Sequence, residues 1–178
     1  MRALLILFIV VFGFTTQTQA QLFGEHEVFE AALKNDADSV QQYLINGENV
    51  NIRDRSKSPL IARAAEAGST AVVDLLIRND ASVDLQDRYG NTALMQAASQ
   101  GYGDIVLMLL EAGAKVDAEN DQGETPLVKA SKAGNLQAAK ILLQYKADIT
   151  ITDFTGRSAL DHAIENRNRP VQRLLERQ

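Results

Sequence analysis

The stretch that decides the fold runs from Asn120 to Asp153. It opens Asn120-Asp121-Gln122-Gly123-Glu124-Thr125-Pro126-Leu127 and continues through Ala130-Ser131, Gly134, Ala139-Lys140-Ile141-Leu142-Leu143 and Ala147-Asp148. Gly123 permits a positive φ at a turn tip. Thr125 is a good N-cap, and Pro126 stands at the first helical position, where a missing N–H costs nothing. Leu127 and Ala130 then share one helical face, and Gly134 ends the helix. A second apolar run, Leu136 to Leu143, predicts a second short helix. The unit is turn, helix, loop, helix, loop, and alone it cannot bury its apolar face.

Copies follow in strict register. The turn position recurs as Asp54, Asp87, Asn120 and Asp153, each 33 residues apart. The turn glycine recurs as Gly24, Gly90, Gly123 and Gly156, with Lys57 in the remaining slot. A hydroxyl N-cap recurs at Thr92, Thr125 and Ser158. The buried aliphatic slot holds Val28, Ile61, Leu94, Leu127 and Leu160; the small slot holds Ala31, Ala64, Ala97, Ala130 and Ala163. Asn35, Gly68, Gly101 and Gly134 separate the paired helices. The register predicts repeats at about 21–53, 54–86, 87–119, 120–152 and 153–178.

This pattern resembles the ankyrin repeat family over residues 21–178. The resemblance implies an all-α solenoid of about five stacked helix-turn-helix repeats with hairpin-like loop tips, binding proteins through its tips and first-helix faces. Three departures stand out. The family's His slot holds Ala62, Met95, Val128 and Asp161, so its loop-bracing hydrogen bonds are expected to be missing. His162 lies one position beyond that slot and is not expected to take its role. The helix-terminal glycine is present at Gly47 and Gly113 but replaced by Asp80 and Lys146, which would have to adopt a left-handed conformation at some cost. Met95 and Val128 are expected to pack beneath the loops.

Local readings refine the terminal and second repeats. The first helix is expected from about Glu25 to Lys34, with Val28, Ala31, Ala32 and Phe29 inward; the second, near Ser39 to Ile45, with Asp38 as N-cap. In the second repeat the hydroxyl comes one residue early, at Ser58 before Pro59, which predicts an early helix start and a weakened turn over Arg55 to Ser58.

Residues 1–20 read as a secretory signal peptide. Met1 and Arg2 precede an apolar run, Ala3 to Phe14, and Thr18-Gln19-Ala20 places small residues for cleavage before Gln21. The run falls short of the ~20 residues a membrane span needs. The expected location is the periplasm or the medium, with no stable membrane insertion after cleavage. The chain lacks Cys, carries no Asn-x-Ser/Thr sequon and has a net charge of −5. The acidity disfavours nucleic acid as a partner.

Little suggests catalysis, a cofactor or a metal. Without Cys there is no thiol chemistry, and His26 and His162 belong to the first and last repeats. The residues free to act are those the repeat leaves unspecified. Arg55, Arg88, Tyr89, Asp121, Gln122 and Phe154 stand at the tips, and Gln96 on a first helix; these are the candidate protein-binding residues. Arg63, Lys129, Lys132, His162 and Glu165 extend the first-helix face. The expected function is non-catalytic binding of a protein partner by a monomer, as inhibitor or protector of an exported enzyme or toxin. The alternative is an assembly factor for an envelope complex.

Overall fold

The structure, a computed structural model, describes residues 26–178. The signal peptide read from residues 1–20, and Gly24 and Glu25 at the start of the first helix, lie outside the described residues. Helix α1 covers residues 26–33 of that range. It is followed by α2 (Ala37–Ile45), α3 (Leu60–Ala67), α4 (Thr70–Arg78), α5 (Ala93–Gln100), α6 (Gly103–Glu111), α7 (Pro126–Ala133), α8 (Leu136–Gln144), α9 (Ala159–Glu165) and α10 (Arg169–Leu175). No strand forms among the described residues, only isolated bridges Arg53–Pro59 and Thr152–Ser158. From α3 onward each odd helix starts 33 residues after the last, and so does each even helix from α2 onward.

Odd helices pack side by side in one layer and even helices in a second. The core lies between them. Ile61, Leu94 and Leu127 are buried in the odd layer, and Val72, Leu76, Ile105, Leu109 and Leu142 in the even layer. Small side chains at Ala64, Ala97, Ala130 and Ala163 are fully buried and let the layers close. Met95 and Val128 are buried, as expected.

Caps follow the sequence with two corrections. Thr92, Thr125 and Ser158 each accept from the backbone N–H three residues on, and Ser158 and Asp161 complete a capping box. The N-cap of α2 is Asp36 rather than Asp38: its Oδ1 accepts from Ser39 N–H at 3.1 Å, because the helix starts at Ala37 in strict register. Nor does α3 start early. Pro59 is its N-cap in extended conformation, and Ser58 makes no cap bond. The Leu60 N–H that a Ser58 cap would serve instead donates to the Ile52 carbonyl at 3.0 Å. Strict register prevails because the odd helix must meet its neighbour at the same height.

Asp80 and Lys146 do adopt left-handed backbone, at φ 60° and 64°. Adjacent repeats are tied behind the helices by a second ladder. Asn51, Asp84 and Asp117 each accept, through Oδ1, the N–H of Ser82, Lys115 and Asp148 in the next repeat, at 2.9–3.0 Å. Between the paired helices, Asn135 Nδ2 donates to the Ala98 and Ser99 carbonyls, and Asn168 Nδ2 to those of Ser131 and Lys132. These bonds satisfy carbonyls that a helix end leaves open.

Two substitutions test this packing. Leu127→Ala removes a fully buried side chain in a central repeat and should cost about 2–5 kcal/mol in urea denaturation. Lys146→Gly relieves a left-handed non-glycine and should be neutral or stabilising by up to about 1 kcal/mol.

Candidate functional site: the tip row and first-helix face

Each tip is built on one side chain. Asp54 Oδ1 accepts from Ser56 and Ser58 N–H, and Asp87 Oδ1 from Tyr89 and Asn91 N–H. Asn120 Oδ1 takes Gln122 and Glu124 N–H, and Asp153 Oδ1 takes Thr155 and Arg157 N–H. All eight bonds span 2.8–3.1 Å. One oxygen thus folds the turn, leaving the other side-chain terminus to be held from elsewhere.

It is held from the first helix, at Arg63, Gln96, Lys129 and His162, which are again 33 residues apart. Arg63 Nε lies 3.2 Å from Asp54 Oδ2, in ion-pair range but not aligned as a hydrogen bond. Gln96 Nε2 donates to Asp87 Oδ2 at 3.3 Å. His162 Nε2 sits 2.8 Å from Asp153 Oδ2. Where Asn120 replaces the acid, Glu124 supplies the charge: Lys129 Nζ donates to it at 3.2 Å, Lys132 Nζ at 2.5 Å and Asn120 Nδ2 at 3.2 Å. Loop bracing is therefore present, one position later than the slot where the sequence shows its absence. This corrects the reading of His162, which is 1% exposed and braces its own turn. Gln96, Arg63 and Lys129 are likewise drawn half inward to the turns.

Two carboxylates carry the electrostatics of this row. Burial pushes Glu124 up, but the Lys132 hydrogen bond, the Lys129 charge and the Asn120 bond outweigh it and hold it at about 2. Burial likewise raises Asp153, and the bonds from Thr155, His162 and the turn amides more than reverse this, leaving it well below the usual carboxylate range. The nearly buried His162–Asp153 pair braces its own loop. Among the described residues no group of three or more His, Asp or Glu could hold a metal.

The tips also bond to one another. Asp121 N–H donates to the Tyr89 carbonyl and Phe154 N–H to the Gln122 carbonyl, both at 3.0 Å. This needs glycine beneath: a Cβ at Gly90 would stand 2.7 Å from Asp121 N, and one at Gly123 3.0 Å from Phe154 N. At the corresponding second-repeat position Lys57 holds φ 61° and carries a Cβ. There the equivalent bond, Arg88 N–H to the Ser56 carbonyl, does not form. The second turn itself is intact, with Lys57 N–H on Asp54 O at 2.8 Å and Asp54 N–H on Ser58 O at 3.0 Å. The weak point read over Arg55 to Ser58 lies instead between the second and third tips.

The other candidate residues are presented along this row. Arg55, Asp121 and Gln122 are exposed. The Arg88 guanidinium lies over the Tyr89 ring, 4.6 Å from its centroid, with Tyr89 48% exposed. Phe154 is 75% exposed, yet its ring edge covers Gly123, where an added Cβ would come within 2.6 Å. His26 is exposed and Asp161 is spent on the α9 cap.

Residues 28–120 match a family model described as ankyrin repeats (3 copies), and residues 109–163 one described as ankyrin repeats (many copies). The chain belongs to the ankyrin repeat family. No curated protein matches it. Ankyrin repeats are generally protein–protein interaction modules and typically non-catalytic. No helix among the described residues is long and apolar enough to cross a membrane.

Two measurements follow. In native-state hydrogen exchange the Arg88 amide should exchange at least about tenfold faster than those of Asp121 and Phe154, since only the latter pair is bonded across tips. The second is a pH series. Glu124 has a folded pKa of about 2 against 4.5 unperturbed, so its stabilisation is full above the unfolded value and is lost as pH falls through about 2. Lys132 is half exposed and screened, so the contribution is on the order of 1–2 kcal/mol. Glu124→Gln should be destabilised by that amount at pH 7, and the gap to the parent should close between about pH 5 and 2 in urea melts.

Proposed function

We propose that this ankyrin repeat chain is an exported bacterial protein-binding module that engages its partner through the tip row and first-helix face. The narrower reading is an inhibitor or protective partner of an exported enzyme or toxin. The observation that carries the binding surface is the Arg88–Tyr89 stack at a central tip, with Phe154 two tips along. A planar guanidinium with free donors beside a stiff exposed ring is the composition that dominates binding energy at protein interfaces. The turn beneath Arg88 and Tyr89 is held by the Asp87 side chain, so these two side chains can change without disturbing it. Export is supported by the basic start, apolar run and Thr18-Gln19-Ala20.

The test is affinity capture with the mature chain from an envelope extract, followed by assay of the captured protein. The exported form should begin at Gln21 by intact mass, and an inhibitor would silence its partner. Tyr89→Ala or Arg88→Ala should weaken capture by about 1 kcal/mol or more, with stability moved by no more than about 0.5 kcal/mol. If both bind normally while Lys140 or Gln144 substitutions on α8 abolish capture, the even-helix side is the interface and this surface is wrong.

A further inference from the structure

Among the described tips one seam is open, and that seam is basic. Between the third and fourth tips, and the fourth and fifth, backbone N–H and C=O groups pair off. Between the second and third they do not, and the Arg88 N–H is left without a protein acceptor. By register with Asp121, this donor faces the second tip. The two tips that flank it carry Arg55, Lys57 and Arg88, all exposed and none in an ion pair among the described residues. Such a cluster runs against the net charge of −5 of the whole chain.

A groove of about 310 Å³ adjoins the seam, between the first and second repeats. Phe29 and Leu33 form its apolar wall, and Arg53, Asp54, Arg55 and Arg63 line the opposite side. The acids near it are occupied: Asp54 folds its turn and meets Arg63, and Glu30 pairs with Lys34 at 3.4 Å. Arg53 is also committed, donating to the Lys57 and Gln86 carbonyls. The unspent groups are cations, the Arg55 and Arg88 backbone donors and an apolar wall.

We infer that the second and third tips receive an acidic segment of a partner protein, its carboxylates on Arg55, Lys57, Arg88 and the free Arg88 N–H, and an apolar side chain in the Phe29–Leu33 groove. The inference rests on the protein-binding reading above and narrows the partner's chemistry. The physical basis is charge complementarity. Unpaired exposed cations attract carboxylates at range, and an amide donor fixes the position of one of them. Lys57 has two parts in this: its ammonium adds charge, and its Cβ keeps the two tips from closing on each other.

The experiment uses a fluorescein-labelled peptide of about a dozen residues, made of Asp, Glu and Ser with a single Leu. Its control replaces the acids by Asn and Gln. Binding to the mature chain should be saturable, weaken with salt, and fall about tenfold or more for Arg55→Glu/Arg88→Glu. Lys57 supplies the sharper comparison. Lys57→Ala loses the charge and keeps the Cβ; Lys57→Gly also allows the tips to close. The glycine variant should melt higher, protect the Arg88 amide, and bind the acidic peptide less well than the alanine variant. Equal binding of the Asn/Gln peptide, or undiminished binding by the charge-reversed protein, overturns the inference. So does a peptide footprint on Lys140, Arg173 and Arg177, which line a separate groove on the even-helix side, or equal affinity of the two Lys57 variants. Should the partner captured from extract depend on Tyr89 while the acidic peptide does not bind, this inference fails and the protein-binding reading stands. Capture indifferent to every tip substitution would remove that reading itself.

Discussion

The structure depends on one side chain per repeat holding two things at once. In every described tip, one oxygen of Asp54, Asp87, Asn120 or Asp153 accepts two backbone N–H groups and bends the chain. The other terminus, or Glu124 acting for it, is gripped by the first helix. A tip so tied cannot drift relative to the helix that follows it. Since each odd helix starts at the same point in its repeat, the tips line up, and the row they form becomes a surface of fixed geometry. Stability in such an array is a sum over repeats and their interfaces, so losses at one turn stay local.

Much of this was legible because apolar packing repeats residue identities. Leu94 and Leu127 occupy equal volumes in equal surroundings, and the small slot admits little but alanine. The brace position was not legible in that way. Arg63, Gln96, Lys129 and His162 have different sizes and charges, and share only a side-chain nitrogen within 3.3 Å of a turn carboxylate. No comparison of identities aligns them; asking what each turn acid pairs with would have done so. Ser58 misled for the opposite reason. It is a good cap in isolation, but stacking sets where α3 begins, and the Ile52 carbonyl takes the donor the cap would have served. Asp38 lost to Asp36 on the same ground.

The candidate surface was legible only in part. The exposed tips were identifiable as the positions the repeat leaves unspecified, and Arg88, Tyr89 and Phe154 lie there. Gln96 was read as available, whereas its amide is committed to Asp87. The consequence of Lys57 could be seen as a missing glycine but not as an unmatched pair of backbone groups one repeat away. That requires knowing how closely the next tip approaches, a distance set by the stack as a whole. Local spelling and long-range packing meet at this one residue, where scaffold and surface stop being separable.

The tip row depends on the coupling between turn acid and helix brace, so the most direct test is a double-mutant cycle on Asp153 and His162. Both side chains are buried and 2.8 Å apart. Asp153→Asn, His162→Gln and the double variant, compared by urea denaturation at pH 7, should give a coupling of about 1–3 kcal/mol. A coupling within about 0.5 kcal/mol of zero would mean that the two groups lie together without holding each other. The braced turn could then not be what sets the tip row.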